Sequence, residues 1–301
     1  MKGILGHHII FGIAALASAA SWAFCAVLWR KLGEDISPLS MNLSKGIIGS
    51  LYLSVVLLVI GIEPVSTRDF FFLGISGLLG ITLGDTFFFM SLMNLGPSLS
   101  SLMGTLVPVS VAFSAAMFLG ERPSLLAWAG IFLTVSGVAW VLKERLPQNE
   151  IKIIKNKALG IKYRLLSIIC MTAGVLIAKI ALTSVPTVQA TLIRMSWGVG
   201  GIILWGALNH ELKGSLAPFK DLHLLKKVSF IVFILVFGGF WLSLVSLKYM
   251  DASIANTLGS TTPLFILPIA AIMLKEKISL RAGLGAAIAV GGVTLVLIGR
   301  Q

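Results

Sequence analysis

Acidic side chains are scarce in this chain, with twelve Asp and Glu among 301 residues against 24 Lys and Arg. They do not pair inside the long apolar runs, so no general acid/base dyad is available there. Histidine is rarer still. His7 and His8 lie in the amino-terminal tail, and His210 and His223 lie near a connection between apolar runs. That distribution leaves no metal cluster for a membrane core. The two cysteines, Cys25 and Cys170, both fall inside apolar runs. They indicate neither a disulfide scaffold nor a zinc site and read as small core residues. No nucleotide-binding motif is present, which argues against direct ATP hydrolysis. No cofactor is expected, and the chain does not read as an enzyme.

Apolar side chains are what the sequence has in excess. Hydrophobic residues make up 57% of the chain, charged residues 12%, and the mean hydropathy is +0.98. A soluble domain of this length does not need so much apolar surface. Long stretches lack Asp, Glu, Lys and Arg altogether, among them 3–29, 95–120, 123–142, 228–247 and 252–274. A span needs about 20 apolar residues to cross about 30 Å of hydrocarbon. Ten spans follow, at 9–30, 40–62, 70–93, 97–119, 124–142, 164–184, 187–209, 228–249, 252–274 and 279–299. Lys2 and the small residues at Ala17–Ala20 give the first span some likeness to a signal peptide. Its apolar core is too long, and Trp22, Phe24 and Trp29 continue past any cleavage point, so it is read as a helix of the mature protein.

Two of these stretches are copies of each other. At an offset of 155, residues 91–142 and 246–297 match at 18 of 52 places without a gap, including Gly104/Gly259, Pro108/Pro263, Glu121/Glu276, Gly130/Gly285 and Gly137/Gly292. Such a duplication points to a transporter built from two halves around a midplane site. The halves are 1–142 and 164–301, joined by a linker at 143–163. From Lys143 to Arg164 there are seven basic residues against two acidic ones, with a turn at Pro147, Gln148 and Asn149. Beside ten spans, that charge points to anionic lipid headgroups of the bilayer rather than to nucleic acid. Five spans per half is an odd number, so the second half enters the membrane inverted. The expected fold is an all-α membrane protein of ten transmembrane helices arranged as two inverted five-helix repeats.

The pattern of residues 98–142 resembles the EamA-type repeat of the drug/metabolite transporter superfamily. It runs from Ser98–Ser101 through Gly104, Pro108, Ala115–Ala116 and Leu119-Gly120-Glu121-Arg122 to a glycine-spaced last helix. Ser253, Gly259, Pro263, Ala270–Ala271 and Leu274-Lys275-Glu276-Lys277 fit the same pattern in the second copy. The resemblance implies a small-molecule carrier whose halves enclose a central cavity, with the last helix of each half at the periphery.

Charges within the spans carry most of the functional information, because a buried ion is costly unless it is paired or faces water. Asp85 is the deepest, and the repeat places Phe240 opposite it. Three roles are open to it: binding a cationic group, taking up a coupling proton, or neutralising a basic neighbour. Lys45 and Arg194 occupy pseudo-equivalent positions at an offset of 149. They either snorkel to the headgroups or face the cavity, where they would favour a carboxylate or phosphate. Lys179 reads as interfacial. Among polar residues, Asn256 and Ser101 are candidates for substrate contact. Pro108 and Pro263 sit near mid-membrane as hinge candidates. Glu121 and Glu276 are expected to cap the fifth and tenth helices. Small residues at Ala127, Gly130, Thr134 and Gly137, and at Ala282, Gly285, Ala289 and Gly292, form a helix-packing seam either within the monomer or between two copies.

The charge bias of the connections and the family resemblance imply opposite orientations. Sixteen Lys and Arg flank the connections after the odd-numbered spans, against five on the side of the termini, which places both termini outside. The resemblance implies cytoplasmic termini. The expected function is secondary transport of a small metabolite, by export or exchange, across a plasma or bacterial inner membrane, with a proton gradient among the energy sources open to it. A non-transporting membrane receptor or assembly factor, or an intramembrane lipid-processing enzyme, is the alternative. The expected partners are the substrate and the lipid bilayer, with the chain a monomer or homodimer.

Overall fold

The computed structural model describes residues 2–32, 38–95, 100, 103–144, 156–209, 212, 219–273 and 280–299. Ser98, Ser101, Glu276, His210 and the turn at 147–149 lie outside that set. Ten helices follow one another. They are α1 (Lys2–Leu32), α2 (Pro38–Ile60), α3 (Thr67–Gly77, Leu78–Gly84 and Asp85–Leu95), α4 (Leu106–Phe118), α5 (Leu125–Glu144), α6 (Lys157–Ala181), α7 (Thr187–Leu208), α8 (Leu222–Ile234, Leu235–Trp241 and Leu242–Tyr249), α9 (Ala252–Gly259 and Thr262–Met273) and α10 (Leu280–Ile298). Among the described residues there is no strand. Seven of the helices are long and apolar enough to cross a membrane, and α4 and α10 are shorter apolar helices. Leu58, Val59, Met117, Phe118 and Leu125 are each more than 70% exposed, as side chains that face lipid need to be.

The helices pack by a rule that survives exchanging the first five with the last five. α1 packs on α8 and α9, and α6 packs on α3 and α4. α3 touches α7, and α8 touches α2. α2 pairs with α7, α4 with α9, and α5 with α10. The stripe of small residues is therefore used within the chain, where Gly130, Thr134 and Gly137 of α5 face Gly285, Ala289 and Gly292 of α10.

Helices α3 and α8 each contain a wide π turn, at Leu78–Gly84 and Leu235–Trp241. A π turn leaves carbonyls without their usual amide partners. Hydroxyls from the other half approach both turns. Ser167 of α6 donates to Gly84 O at 2.8 Å, and Ser18 of α1 donates to Gly239 O at 2.8 Å. Ser18 and Ser167 are 149 positions apart, as are Lys45 and Arg194, and Gly84 and Gly239 are 155 apart, as in the repeat.

One end of the bundle is held by polar contacts between the halves. Gln189 Nε2 donates to Glu63 O at 2.8 Å, and Glu63 N donates back to Gln189 Oε1 at 3.2 Å. Ser184 donates to Asp69 at 2.7 Å across the halves, and within the second half Lys248 Nζ donates to Val185 O at 2.9 Å. Glu121 belongs to this set, which corrects its expected role. Helix α5 is capped by Ser124, whose Oγ accepts from Ala127 N at 3.2 Å. Gly120, in the left-handed region at φ 69°, turns the chain so that Glu121 meets the start of α9 instead. Its carboxylate accepts from Ala252 N at 2.5 Å, Ser253 N at 3.2 Å and Ser253 Oγ at 2.7 Å. Charge-assisted bonds contribute about 1.5–3 kcal/mol each when made in full. Because this site is partly exposed, Glu121→Ala is expected to lower stability by about 2 kcal/mol, measured as the unfolding midpoint in lipid. An unchanged midpoint would remove α9 capping as the role of Glu121.

Candidate functional site

A cavity of about 390 Å³ lies between the halves, walled by α1 and α4 on one side and by α6, α7, α8 and α9 on the other. Both repeated helices break where they reach it. α4 has a turn at Thr105 before Leu106, and α9 has a turn at Ser260–Thr261 between its two segments. Each break lies two or three residues before the repeated proline. A proline removes the amide that would bond the carbonyl four residues earlier. Those carbonyls belong to Gly104 and Gly259, and both glycines line the cavity. Thr262 Oγ1 supplies a replacement donor to Gly259 O at 3.0 Å. Pro108 is buried and lines the cavity, whereas Pro263 is the second residue of the segment Thr262–Met273.

Of the residues singled out by sequence, the structure brings Arg194, Asn256 and Pro108 to the cavity wall. Lys45 and Asp85 form an ion pair at 3.4 Å one layer behind it. Lys45 is 6% exposed, donates to Asn42 Oδ1 at 2.7 Å, and lies 5.2 Å from the centre of the Phe240 ring, which itself lines the cavity. It does not snorkel. Lys179 is not a simple headgroup contact either. Its ammonium donates to the carbonyls of Leu247 at 2.6 Å and Met250 at 2.5 Å, closing the C-terminal end of α8.

Arg164 is the residue that sequence reasoning set at the boundary between the linker and the sixth span. Helix α6 starts earlier than its charge-free run, at Lys157, with the Asn156 side chain accepting from Leu159 N at 3.1 Å as N-cap. Two turns in, Arg164 is 5% exposed. Its Nη1 donates to Ser167 Oγ at 3.2 Å, its guanidinium stacks 4.7 Å from the Phe88 ring centre, and a terminal nitrogen lies against Gly104. A side chain at Gly104 would collide with that guanidinium, while one at Gly259 would meet nothing within 4 Å. The two repeated glycines thus do different work. Gly104 makes room for an arginine, and Gly259 leaves the cavity open.

Residues 10–143 and 158–298 each match the EamA-like transporter family. A protein of Archaeoglobus fulgidus described as an uncharacterized transporter is 23% identical over 296 residues, which cover 95% of this chain and 97% of that protein. A solved structure described only as the crystal structure of a protein has a TM-score of 0.74 and 17% identity, covering 98% of this chain and 99% of that one, so the fold is shared. Matched along nearly its whole length, the chain belongs to the EamA-like transporter family.

Proposed function

We propose that this protein is a secondary carrier that moves a small metabolite across a cell membrane by alternating access, rocking residues 1–142 against residues 164–301. The observation that carries the reading is the central cavity, whose wall is built from both halves at the helix breaks before Pro108 and Pro263. An inverted repeat is supported by the packing rule that survives exchange of the halves and by the paired contacts Ser167 to Gly84 and Ser18 to Gly239. In that arrangement the breaks are the hinges. The polar contacts around Glu63, Asp69 and Glu121 close one end, and they must part when the cavity opens to that side. Asp85 serves as the counter-ion of Lys45, the last of the three roles open to it from sequence.

The test is counterflow into proteoliposomes preloaded with a pooled metabolite extract, using the native chain and Gly259→Phe. Gly259 lines the cavity and an added Cβ there meets nothing within 4 Å, so a larger side chain can start from it without a backbone clash. Saturable flux by the native protein is expected, with near-complete loss in Gly259→Phe at an unchanged unfolding midpoint. Undiminished flux in that variant would move the pathway elsewhere, and no flux from folded native protein would sink the carrier reading.

A further inference from the structure

The charges around the cavity do not balance, and the imbalance specifies the ligand. Lys45 and Asp85 neutralise each other, and Lys45 has a second partner in Asn42. That leaves Arg194, in the cavity wall, and Arg164, whose guanidinium sits behind the wall residue Gly104; both are close enough to interact electrostatically with Asp85. Among the described residues no carboxylate lies within ion-pair distance of either guanidinium. Each also keeps a buried Nε without a hydrogen-bond acceptor. Two arginines at membrane depth with neither a paired anion nor a full set of acceptors are held at a cost. An anion in the cavity would remove that cost.

We propose that the carried solute is an organic anion whose carboxylate or phosphate group is held by Arg194 and Arg164. This rests on the reading of the cavity as the transport site. Arginine offers planar, forked donors that match two oxygens of such a group, which a single lysine does not. Asn256 lines the same space, and no described residue occupies its side-chain amide, so it is available to donate to a third oxygen or to the body of the solute. The rest of the wall is mostly apolar and partly aromatic, with Trp22, Val107 and Phe240, and it carries the hydroxyl residues Ser18, Ser243, Ser260 and Thr262. At about 390 Å³ the space is near the small end of ligand sites, about 300–1,000 Å³. It suits one compact metabolite with an anionic head and an apolar or ring-bearing body.

Four probes of similar shape isolate the charge: phenyl phosphate, phenylacetate, benzyl alcohol and benzylamine. Added to the full chain in lipid nanodiscs, the two anions are expected to raise the unfolding midpoint saturably, and the alcohol and amine to leave it unchanged. Arg194→Gln should abolish the anion effect, Arg164→Gln should weaken apparent affinity at least about tenfold, the scale expected for a lost charge-assisted bond, and Arg194→Lys should retain part of it. Because Arg194→Gln removes an uncompensated charge, its ligand-free form is expected to unfold at a temperature no lower than the native protein. Stabilisation by benzylamine, no saturable effect of either anion, or an anion effect unaltered in both glutamine variants would overturn the proposal. Counterflow separates this from the carrier reading. With the metabolite extract divided by charge, flux from the anionic fraction supports the inference. Flux confined to the neutral or cationic fractions overturns it and leaves the carrier intact. No flux from any fraction, with anion binding retained in nanodiscs, removes the carrier reading and keeps the anion site.

Discussion

Asp85→Asn is expected to destabilise the protein by about 3 kcal/mol, and adding Lys45→Met is expected to restore at least half of that loss. Breaking a buried ion pair by removing one partner costs about 3–5 kcal/mol, because the other charge is left uncompensated. Here the lower end applies. Asp85 keeps 23% side-chain exposure and the pair is 3.4 Å apart, so the carboxylate is not fully enclosed. The loss is still large, since Asp85 interacts with Arg164 and Arg194 as well as with Lys45. Methionine at position 45 removes one of the three cations while filling much of the same apolar space. Thermal unfolding of the two single variants and the double variant gives the coupling directly. The same proteins, assayed for counterflow with and without an imposed pH gradient, separate the counter-ion role from proton coupling. A variant that unfolds like the native chain and loses only the gradient-driven flux would make Asp85 a coupling residue instead.

The ten helices were legible because hydrocarbon tolerates few charges, and the charge-free runs bounded each span to within a few residues at α2, α7 and α10. The same rule misread α6. A charge ends a run in sequence, so Arg164 was placed at the boundary, although the helix begins at Lys157 and buries it. The capping residue Asn156 was the signal that could have found that start. The π turns also had a trace, in Gly74, Gly77, Gly80 and Gly84 of α3 and in Gly238–Gly239 of α8. Nothing local separates a glycine that serves a wide turn from one that serves close packing. Glu121 shows a different limit. Position predicts that an acid before a helix caps that helix, but the start of α9 comes within reach across the bundle and takes the carboxylate. Arg194 and Asn256 stood out in sequence as polar residues in costly surroundings, and only the folded chain brings them to one cavity.

Gly137→Leu is expected to cost about 3 kcal/mol or more, the upper end for forcing a larger side chain into a packed interior. The reason is that α5 and α10 approach through their backbones. A Cβ at Gly137 would lie 2.5 Å from Ala289 N and 2.7 Å from Gly285 O, and one at Gly130 would lie 2.6 Å from Val296 N. A side-chain obstacle can rotate away, whereas these atoms move only if the helices separate. Helix α10 carries its own control. Gly291 neighbours the buried Gly292 but faces outward, where an added Cβ meets nothing within 4 Å. Gly291→Ala is therefore expected to be neutral or to gain up to about 1 kcal/mol from helix propensity. Unfolding midpoints of the two variants check the contrast. Sequence offered the stripe two homes, within one chain or between two copies, and the fold assigns it to the first. The oligomeric mass of Gly137→Leu in detergent should accordingly equal that of the native protein. A mass that falls while the fold survives would put the stripe between copies, and an unchanged unfolding midpoint would remove the close backbone approach on which the prediction rests.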